Sequence, residues 1–584
     1  MKSGIALYGG FSAIETLRDE RDWSLNETIL DAIGLNRRVV TVDDSVGVTI
    51  DGFIIRNGQA TGISPYGGGL YFRNVASATL QNCSVVGNRA TLPPIPILGQ
   101  GGGVHCEGSS PAIRNCIIAS NSALLNGGGI SCHASAAPEI TNCTITGNLA
   151  STGGGGGVFC LGSSPVFRSC TISGNKAGYN DSLFRGAGGG VDCNGSTPSF
   201  VDCWISDNRA GLGGGFYCFG SFPVLTNCTI ANNVAKYFGF SSNVGTGGGI
   251  ASFISSPFLN GCTVRDNTAE IEGGGLACFN SPSPILIGCS VLRNSGLQGG
   301  GVNSGSLSTP ILERCAISEN SAVHGGGIAC FGSSPTIANC LISRNVAAQS
   351  GGAVHCSNEA SPELASCMIL ENTSGATGGG LSASSSTVVL KNCDLLNNVA
   401  IDGSGLSSGS SMLRLINCVL VNPGDQVHNV NGLPPTISHS CVAGGGQLGV
   451  GNISEDPVFV NPSESDFRLM PDSPCIDSGS NEAVLKLGPA ILALGDLDQN
   501  VRIWDGDGDG IARVDMGAYE FGSTLSPGDL NGSASVDMFD LFVALHFWHE
   551  ETSFAPLPGD QNGDSEFTAD DLLILEHALR NHSP

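Results

Sequence analysis

Charge is scarce in this chain. Asp, Glu, Lys and Arg make up 13% of its 584 residues, and aromatic side chains only 6%. Cations are scarcest, with 25 Lys and Arg against 51 Asp and Glu, giving a formal net charge of −26. Phosphate backbones are held by clustered Lys and Arg, so nucleic acid is excluded as a partner. No apolar run approaches the roughly 18 residues that span a bilayer, so a transmembrane segment is excluded too. There is no G-x-y period, which rules out collagen, and 41% hydrophobic residues is too many for a disordered chain. C-x-x-C pairs, an HExxH motif and any Ser/His/Asp set are missing as well. What abounds is glycine, with 86 residues, and cysteine, with 23. The length allows two to four domains.

The glycine belongs to an internal repeat. One phrase returns as GGGVHCEGSSPAIRNCIIASNSA (101–123), GGGISCHASAAPEITNCTITGNLA (127–150) and GGGIACFGSSPTIANCLISRNVA (325–347). Its second cysteine recurs from Cys83 to Cys418 every 25 to 27 residues, or 33 to 34 where loops are inserted. Five residues after each of the first twelve stands an asparagine, from Asn88 to Asn398, and Asn57 in VTIDGFIIRNG (48–58) is placed in the same register. Each unit holds short alternating stretches such as V-H-C, P-A-I and C-T-I-T between Gly, Ser-Pro and Gly-Asn turns. Such spacing predicts strands of three to five residues, three to a unit. A unit of this size makes one coil of a parallel β-helix, with Ile and Val inward and Ser and Thr outward. About fourteen coils stacked at about 4.8 Å predict a rod roughly 65 Å long. The repeated Asn is expected to take left-handed backbone and to bond to the Asn of the next coil. The GGG run is expected to supply positive-φ turns and room for close coil contact. A phosphate-binding loop occurs once before a helix, not in every unit.

LYGGFSAIET, TIDGFIIRNG and the GGG…C…NC…N repeats resemble the right-handed parallel β-helix proteins of the pectate-lyase-like superfamily, over residues 1–420. The resemblance implies the fold: all-β, a right-handed single-stranded parallel β-helix of about 14 coils. It does not carry the superfamily's enzymatic activity.

Eight coils carry two cysteines ten or eleven residues apart, such as Cys106 and Cys116, and the alternation points both inward as two columns. Five other coils keep the second cysteine but replace the first by Phe72, Ser252, Ser304, Ala383 or Ser408. Obligate disulfide partners would be lost together, so the cysteines read as small apolar fillers in stacked ladders rather than a disulfide ladder. Zinc fits the spacings poorly.

The repeat fades after Cys418. DPVFVNPSESDFRLMPDSPCIDSGSN (456–481) and DLDQNVRIWDGDGDGIARVDMGAYEFG (496–522) resemble a choice-of-anchor closing module, expected over 421–522 to form the last coils and cap the open edge. Asp505, Asp507 and Asp509 alternate before Gly510, with Asp515 downstream. Such a loop either gathers one hard cation, Ca²⁺, or is a solvated acidic turn.

Residues 523–584 hold a duplicated loop and helix, GDLNGSASVDMFDLFVALHFW (528–548) and GDQNGDSEFTADDLLILEHAL (559–579). The second loop offers Asp560, Asn562, Asp564, Thr568 and Asp571 at positions 1, 3, 5, 9 and 12 of a calcium loop. The first offers Asp529, Asn531, Ser533, Asp537 and Asp540, and Ser533 makes it the weaker site. The pair resembles a type I dockerin, a small α-helical, EF-hand-like calcium module. That resemblance implies a cohesin-type partner or other surface scaffold, read by Met538, Phe539, Ala569 and Asp570. A calcium-stabilised cap without a partner is the alternative. The leading residues MKSGIALYGGF show no secretion segment and begin inside a strand, so a missing upstream exporter and an extracellular or cell-surface bacterial location are expected.

Related folds cleave polysaccharides with clustered carboxylates, and no such cluster is visible. The residue before the first cysteine forms a lateral column running His105, Ser131, Phe159, Asp192, Tyr217, Ala251, Ala277, Asn303, Ala329 and His355, read as outward. The column never stacks two acids, and His105 and His355 read as solvated. Four loops leaving one turn (58–66, 89–100, 176–187 and 234–246) hold Tyr66, Tyr179, Phe184, Tyr237 and Phe238. With Tyr217 they either stack on sugar rings or pack on one another. Asp181, Arg185 and Asp192 are the weak catalytic candidates. Three functions remain open: a non-catalytic surface protein that binds polysaccharide, a polysaccharide lyase or glycoside hydrolase, and a passive spacer.

Overall fold

The computed structural model describes residues 1–61, 64–91, 99–178, 186–236, 245–430, 434–445, 449–485 and 495–523. The protein is an all-β parallel solenoid of about 14 turns. It divides into two compact units, Met1–Ile311 with Ala316–Ser333, and Leu312–Cys315 with Ser334–Pro584. The dockerin-like stretch lies outside the described residues.

The coil that starts at Gly101 shows how the first unit is made. Val104–Glu107 belongs to a first sheet, Ala112–Arg114 to a second and Ile117–Ala119 to a third. A fourth ladder, absent from the three-strand expectation, follows as the two-residue strand Ser122–Ala123. Strand alternation sends Val104, Cys106, Ile113, Ile118 and Ala123 inward, each fully buried. Every strand lies parallel to its counterpart one coil on, with like facing like: Cys106 on Cys132, Ile113 on Ile140, Ile118 on Ile145. Phe167 and Phe200 stack at 4.6 Å inside this core, and Phe216 meets Phe200 edge-on at 5.1 Å.

All 23 cysteines are buried and stand outside any disulfide. The second-column thiols donate to carbonyls, Cys116 Sγ to Arg114 O at 3.2 Å and Cys143 Sγ to Thr141 O at 3.3 Å. In the first column, desolvation pushes the Cys278 thiol up to about 12. This is the filler arrangement.

The asparagine ladder forms, but its backbone is not the one expected. In the first unit, Oδ1 of each Asn from Asn121 to Asn320 accepts both the backbone N–H and the side-chain Nδ2 of the Asn one coil earlier, as from Asn121 to Asn148 at 3.0 and 3.1 Å. The left-handed residue is the one before it: Gly87, Ser120, Gly147, Asp207 and Asn232 all have positive φ, as do Asn115 and Asn142 before the cysteines. The amide can reach along the stacking direction only if the chain has already turned. Asn57 itself is left-handed and stands one place early, because it is Gly58 N that donates to Asn88 Oδ1.

In the GGG run the first glycine carries the positive φ, 66° at Gly101 and 65° at Gly127. The second and third are needed for space. A Cβ on Gly102 would lie 2.5 Å from Gly128 O, and one on Gly103 would lie 2.7 Å from Gly129 O. This turn also folds against the first sheet, because a Cβ on Gly101 would lie 2.8 Å from His105 Cβ. The lateral column is therefore covered rather than outward: His105, Ser131, Phe159, Asp192 and Asn303 are all buried.

The second unit repeats the scheme with Asn345, Asn372 and Asn398. Its ladder ends where Gln426 Oε1 accepts from N and Nδ2 of Asn422, both at 3.0 Å. Thr436–Ser438 and Cys441–Val442 add a last parallel coil. The closing module does not stop at the edge as expected. Phe467, Leu469, Cys475, Ile476 and Met516 pack on Met368, Leu370, Leu396 and Val419, along the side of the third sheet. Those strand positions are apolar where coils of the first unit show Thr144, Thr146, Thr171 and Ser173, so this flank needs a cover. Arg502 fixes the module there, donating to Ser366 Oγ at 3.2 Å and to Gly517 O at 2.8 Å.

Candidate functional site

In the first unit the outer surface of the first sheet carries two columns of side chains, one coil apart at each step. The nearer column begins at Tyr71 and His105, and the farther one runs Arg73, Glu107, His133, Leu161, Asn194, Phe219, Phe253 and Phe279. Phe331 occupies the same column farther along. At one end the rings form a continuous stack. Tyr66 lies flat on His105 at 4.8 Å, His105 meets His133 at 5.1 Å, and His133 meets Phe159 at 5.5 Å. Arg38 sits 4.6 Å over the Tyr71 ring. Farther on, Tyr217 meets Phe253 at 5.7 Å and Phe253 stacks on Phe279 at 5.0 Å. Leu161, Phe219 and Phe331 are exposed, at 45%, 44% and 39%.

Burial sets the protonation of this face. Desolvation lowers His105 well below the ordinary imidazole range and His133 to about 4, so both rings are neutral at pH 7. Desolvation raises the Asp192 carboxyl well above the ordinary range and raises Glu272 as well. Asp192 Oδ1 and His105 Nδ1 have no partner among the described residues. Asp192 fills the space left open by Gly154, where a Cβ would lie 1.6 Å from its Oδ2. In its column Asp192 stands between Phe159 and Tyr217, with no second carboxylate on either side. One acid is not the pair that glycoside hydrolysis needs.

Of the predicted sugar-contacting residues, Tyr66 and Tyr217 join this face, both half-buried. Tyr179, Phe184, Tyr237 and Phe238, with Asp181 and Arg185, lie outside the described residues. His105 is not solvated but buried under Tyr66. In the second unit His355 is partly buried, with Nδ1 3.1 Å from Ser350 Oγ. The sequence reading passed over His133, Phe253 and Phe279. The signal was available two positions beyond the column that was read, because strand residues at i and i+2 share a face.

The acidic loop of the second unit is the other candidate. Carboxylate oxygens of Asp505 and Asp507 converge with one of Asp477, all within 4.8 Å. Asp509 and Asp515 do not join them. Asp509 Oδ1 accepts from Ile511 N at 2.7 Å, and its Oδ2 lies 3.4 Å from Arg513. Asp515 is buried, accepting from Asp477 N at 2.7 Å and Phe521 N at 2.6 Å, which makes it an internal brace. Burial raises Asp477, and the charge of Asp507 adds to the shift. Asp477 stands 28 residues before Asp505, a separation that carries no motif. The dockerin-like ligands Asp529, Asn531, Ser533, Asp537, Asp540, Asp560, Asn562, Asp564, Thr568 and Asp571 lie outside the described residues. So do Met538, Phe539, Ala569 and Asp570.

No curated protein matches this sequence. A solved pectate lyase, Pel9A, aligns over 81% of this chain and 88% of its own at 10% identity, with a TM-score of 0.24. A likeness that low carries no argument about chemistry. The model of the right handed beta helix region matches residues 38–252, 239–349 and 298–442, most of the chain. Those residues are the ones that wind into stacked parallel coils, and the chain belongs to the right-handed β-helix family.

Proposed function

We propose that this is a secreted or cell-surface protein that binds polysaccharide without cleaving it. Its C-terminal calcium module would attach it to a cohesin-type partner or another surface scaffold. The observation that carries the binding role is the row of rings on the first sheet. Aromatic side chains make up only 6% of the chain, yet Phe219, Phe253, Phe279 and Phe331 share one column of this surface, with Tyr66 and Tyr217 half-buried beside it. Flat, weakly hydrated rings in a line suit the C–H faces of successive sugars. The non-catalytic part rests on Asp192, the buried acid of this face, which has no second carboxylate beside it in its column. Binding of the full chain to a panel of plant and bacterial polysaccharides, with parallel assay for reducing and unsaturated ends, tests both parts. Retention without new ends is expected. Turnover abolished by Asp192→Asn would establish the alternative, a lyase or hydrolase.

Asp477, Asp505 and Asp507 supply the hard oxygen donors that Ca²⁺ prefers. A cation there would relieve the repulsion that helps raise Asp477. Calorimetric titration of the chelator-treated chain should show, besides uptake by the C-terminal loops, a further event that Asp505→Asn with Asp507→Asn removes. Uptake unchanged by that double substitution would show that these residues hold no calcium.

A further inference from the structure

Among the described residues, no Lys or Arg stands between Leu161 and Phe331 in the column of the first sheet that carries the exposed rings. Along the farther column, from Leu161 through Phe219, Phe253 and Phe279 to Phe331, the interposed residues are Asn194 and Gly305. Among the described residues, Arg38 and Arg73 meet this face at its N-terminal end. Each is engaged there, Arg38 over Tyr71 and Arg73 paired to Asp43. The ionisable groups beside the middle of the column are acids: Asp192 in the neighbouring column and Glu272 on the adjoining edge, both raised by desolvation. Beyond the face the whole chain carries −26.

We propose that the ligand of this face is an extended neutral polysaccharide, not a polyuronate or other polyanionic glycan. The inference rests on the polysaccharide-binding reading above and narrows it. A polyanion would approach a strongly acidic protein against its field. On arrival it would find no guanidinium or ammonium among the described residues of the column from Leu161 to Phe331 to replace the water around its carboxylates, a desolvation left without compensation. A neutral chain loses nothing by either route and gains ring contacts. From Leu161 to Phe331 is six coil steps, about 29 Å at 4.8 Å each, so a linear polymer can touch every ring where a short oligomer cannot. Phe219 and Phe331, 44% and 39% exposed, offer their faces directly. Phe253 and Phe279, stacked at an interplanar angle of 18°, present paired edges between them.

Affinity electrophoresis of the full-length protein in gels containing xylan, mixed-linkage β-glucan, polygalacturonate or alginate, at 20 and 300 mM NaCl, distinguishes the cases. Retardation by at least one neutral polymer is expected, unchanged by salt, weakened at least tenfold by Phe219→Ala with Phe331→Ala, and absent with both polyuronates. These two side chains are exposed, so the paired substitution leaves the core intact, and unchanged far-ultraviolet dichroism verifies it. Stronger retardation by polygalacturonate or alginate that disappears at 300 mM NaCl would overturn the neutral-ligand inference while leaving polysaccharide binding standing. Retardation by none of the four polymers would overturn both. Neutral binding that survives the double substitution would remove the rings as its site.

Discussion

Asn148→Ala is the sharpest test of what holds the coils in register. The Asn148 side chain makes four hydrogen bonds within the first unit. Oδ1 accepts from N and Nδ2 of Asn121 at 3.0 and 3.1 Å, and Nδ2 donates to Ile118 O at 2.8 Å and Asn175 Oδ1 at 3.0 Å. Removing it leaves the backbone N–H of Asn121 without an acceptor in a fully buried site. Four lost bonds at about 1 kcal/mol each, with about 1–3 kcal/mol for the orphaned donor, give a cost of about 5–7 kcal/mol. Asn148→Asp separates donor from acceptor. It restores the oxygen for Asn121 but sets a carboxylate oxygen against Asn175 Oδ1 and Ile118 O, so it should recover stability only when protonated. Coils contact only their neighbours, so the loss should also appear locally. Urea unfolding should be read beside amide exchange at Asn121, with Thr144→Ala, on the outer surface, as control. A cost below about 1 kcal/mol, or Asn148→Asp matching the native protein at pH 8, would refute the argument that the ladder is an energetic element.

Two glycines separate space from conformation. Gly102→Ala drives a Cβ to 2.5 Å from Gly128 O and Ser122 O and should cost about 3 kcal/mol by thermal unfolding. Gly162→Ala, in open space at φ +53°, should cost about 1 kcal/mol, and equal costs would contradict this division. In the second unit, burial pushes Asp394 and Asp515 up to about 7, above their unfolded value of 3.8. The folded unit therefore holds protons that the unfolded chain releases. Its stability should fall as pH rises from about 4 to about 7 and level off above, on the order of 4 kcal/mol for each carboxyl. Thermal melts in chelator from pH 4.5 to 8 should show that slope, and Asp394→Asn should flatten it; stability rising with pH would contradict the sign. Titration of thiols under denaturing, non-reducing conditions should find all 23 cysteines as thiols, whereas about ten or fewer would restore the disulfide ladder.

The coil is a short-range object, and so it was legible in the chain. Period, inward Cys and Ile, Asn-to-Asn bonding and the glycine turns all follow from alternation and turn chemistry within some 27 residues. Errors of detail came where one residue's conformation depends on its neighbour's. The left-handed position falls before the asparagine because the turn must precede the amide it aims. The short fourth strand went unseen because two residues carry no period.

Candidate sites divided along the same line. The ring face was half visible, through Tyr66 and Tyr217, because its column repeats with the coil. His133, Phe253 and Phe279 needed only the companion column, whereas the burial of His105 and Asp192 required knowing that the GGG turn folds over the sheet. Asp477 could not be found from sequence. Its approach to Asp505 and Asp507 is made by a module whose path is set by apolar strands at Met368, Leu396 and Val419, far away in the chain. Sequence by itself determined the repeating coil, the buried thiols and the acidic balance, because each is settled by nearest neighbours or by composition. Tertiary structure alone decided which side chains the turns cover, where the closing module lies and which three carboxylates meet. Those outcomes depend on contacts between segments with no fixed separation along the chain.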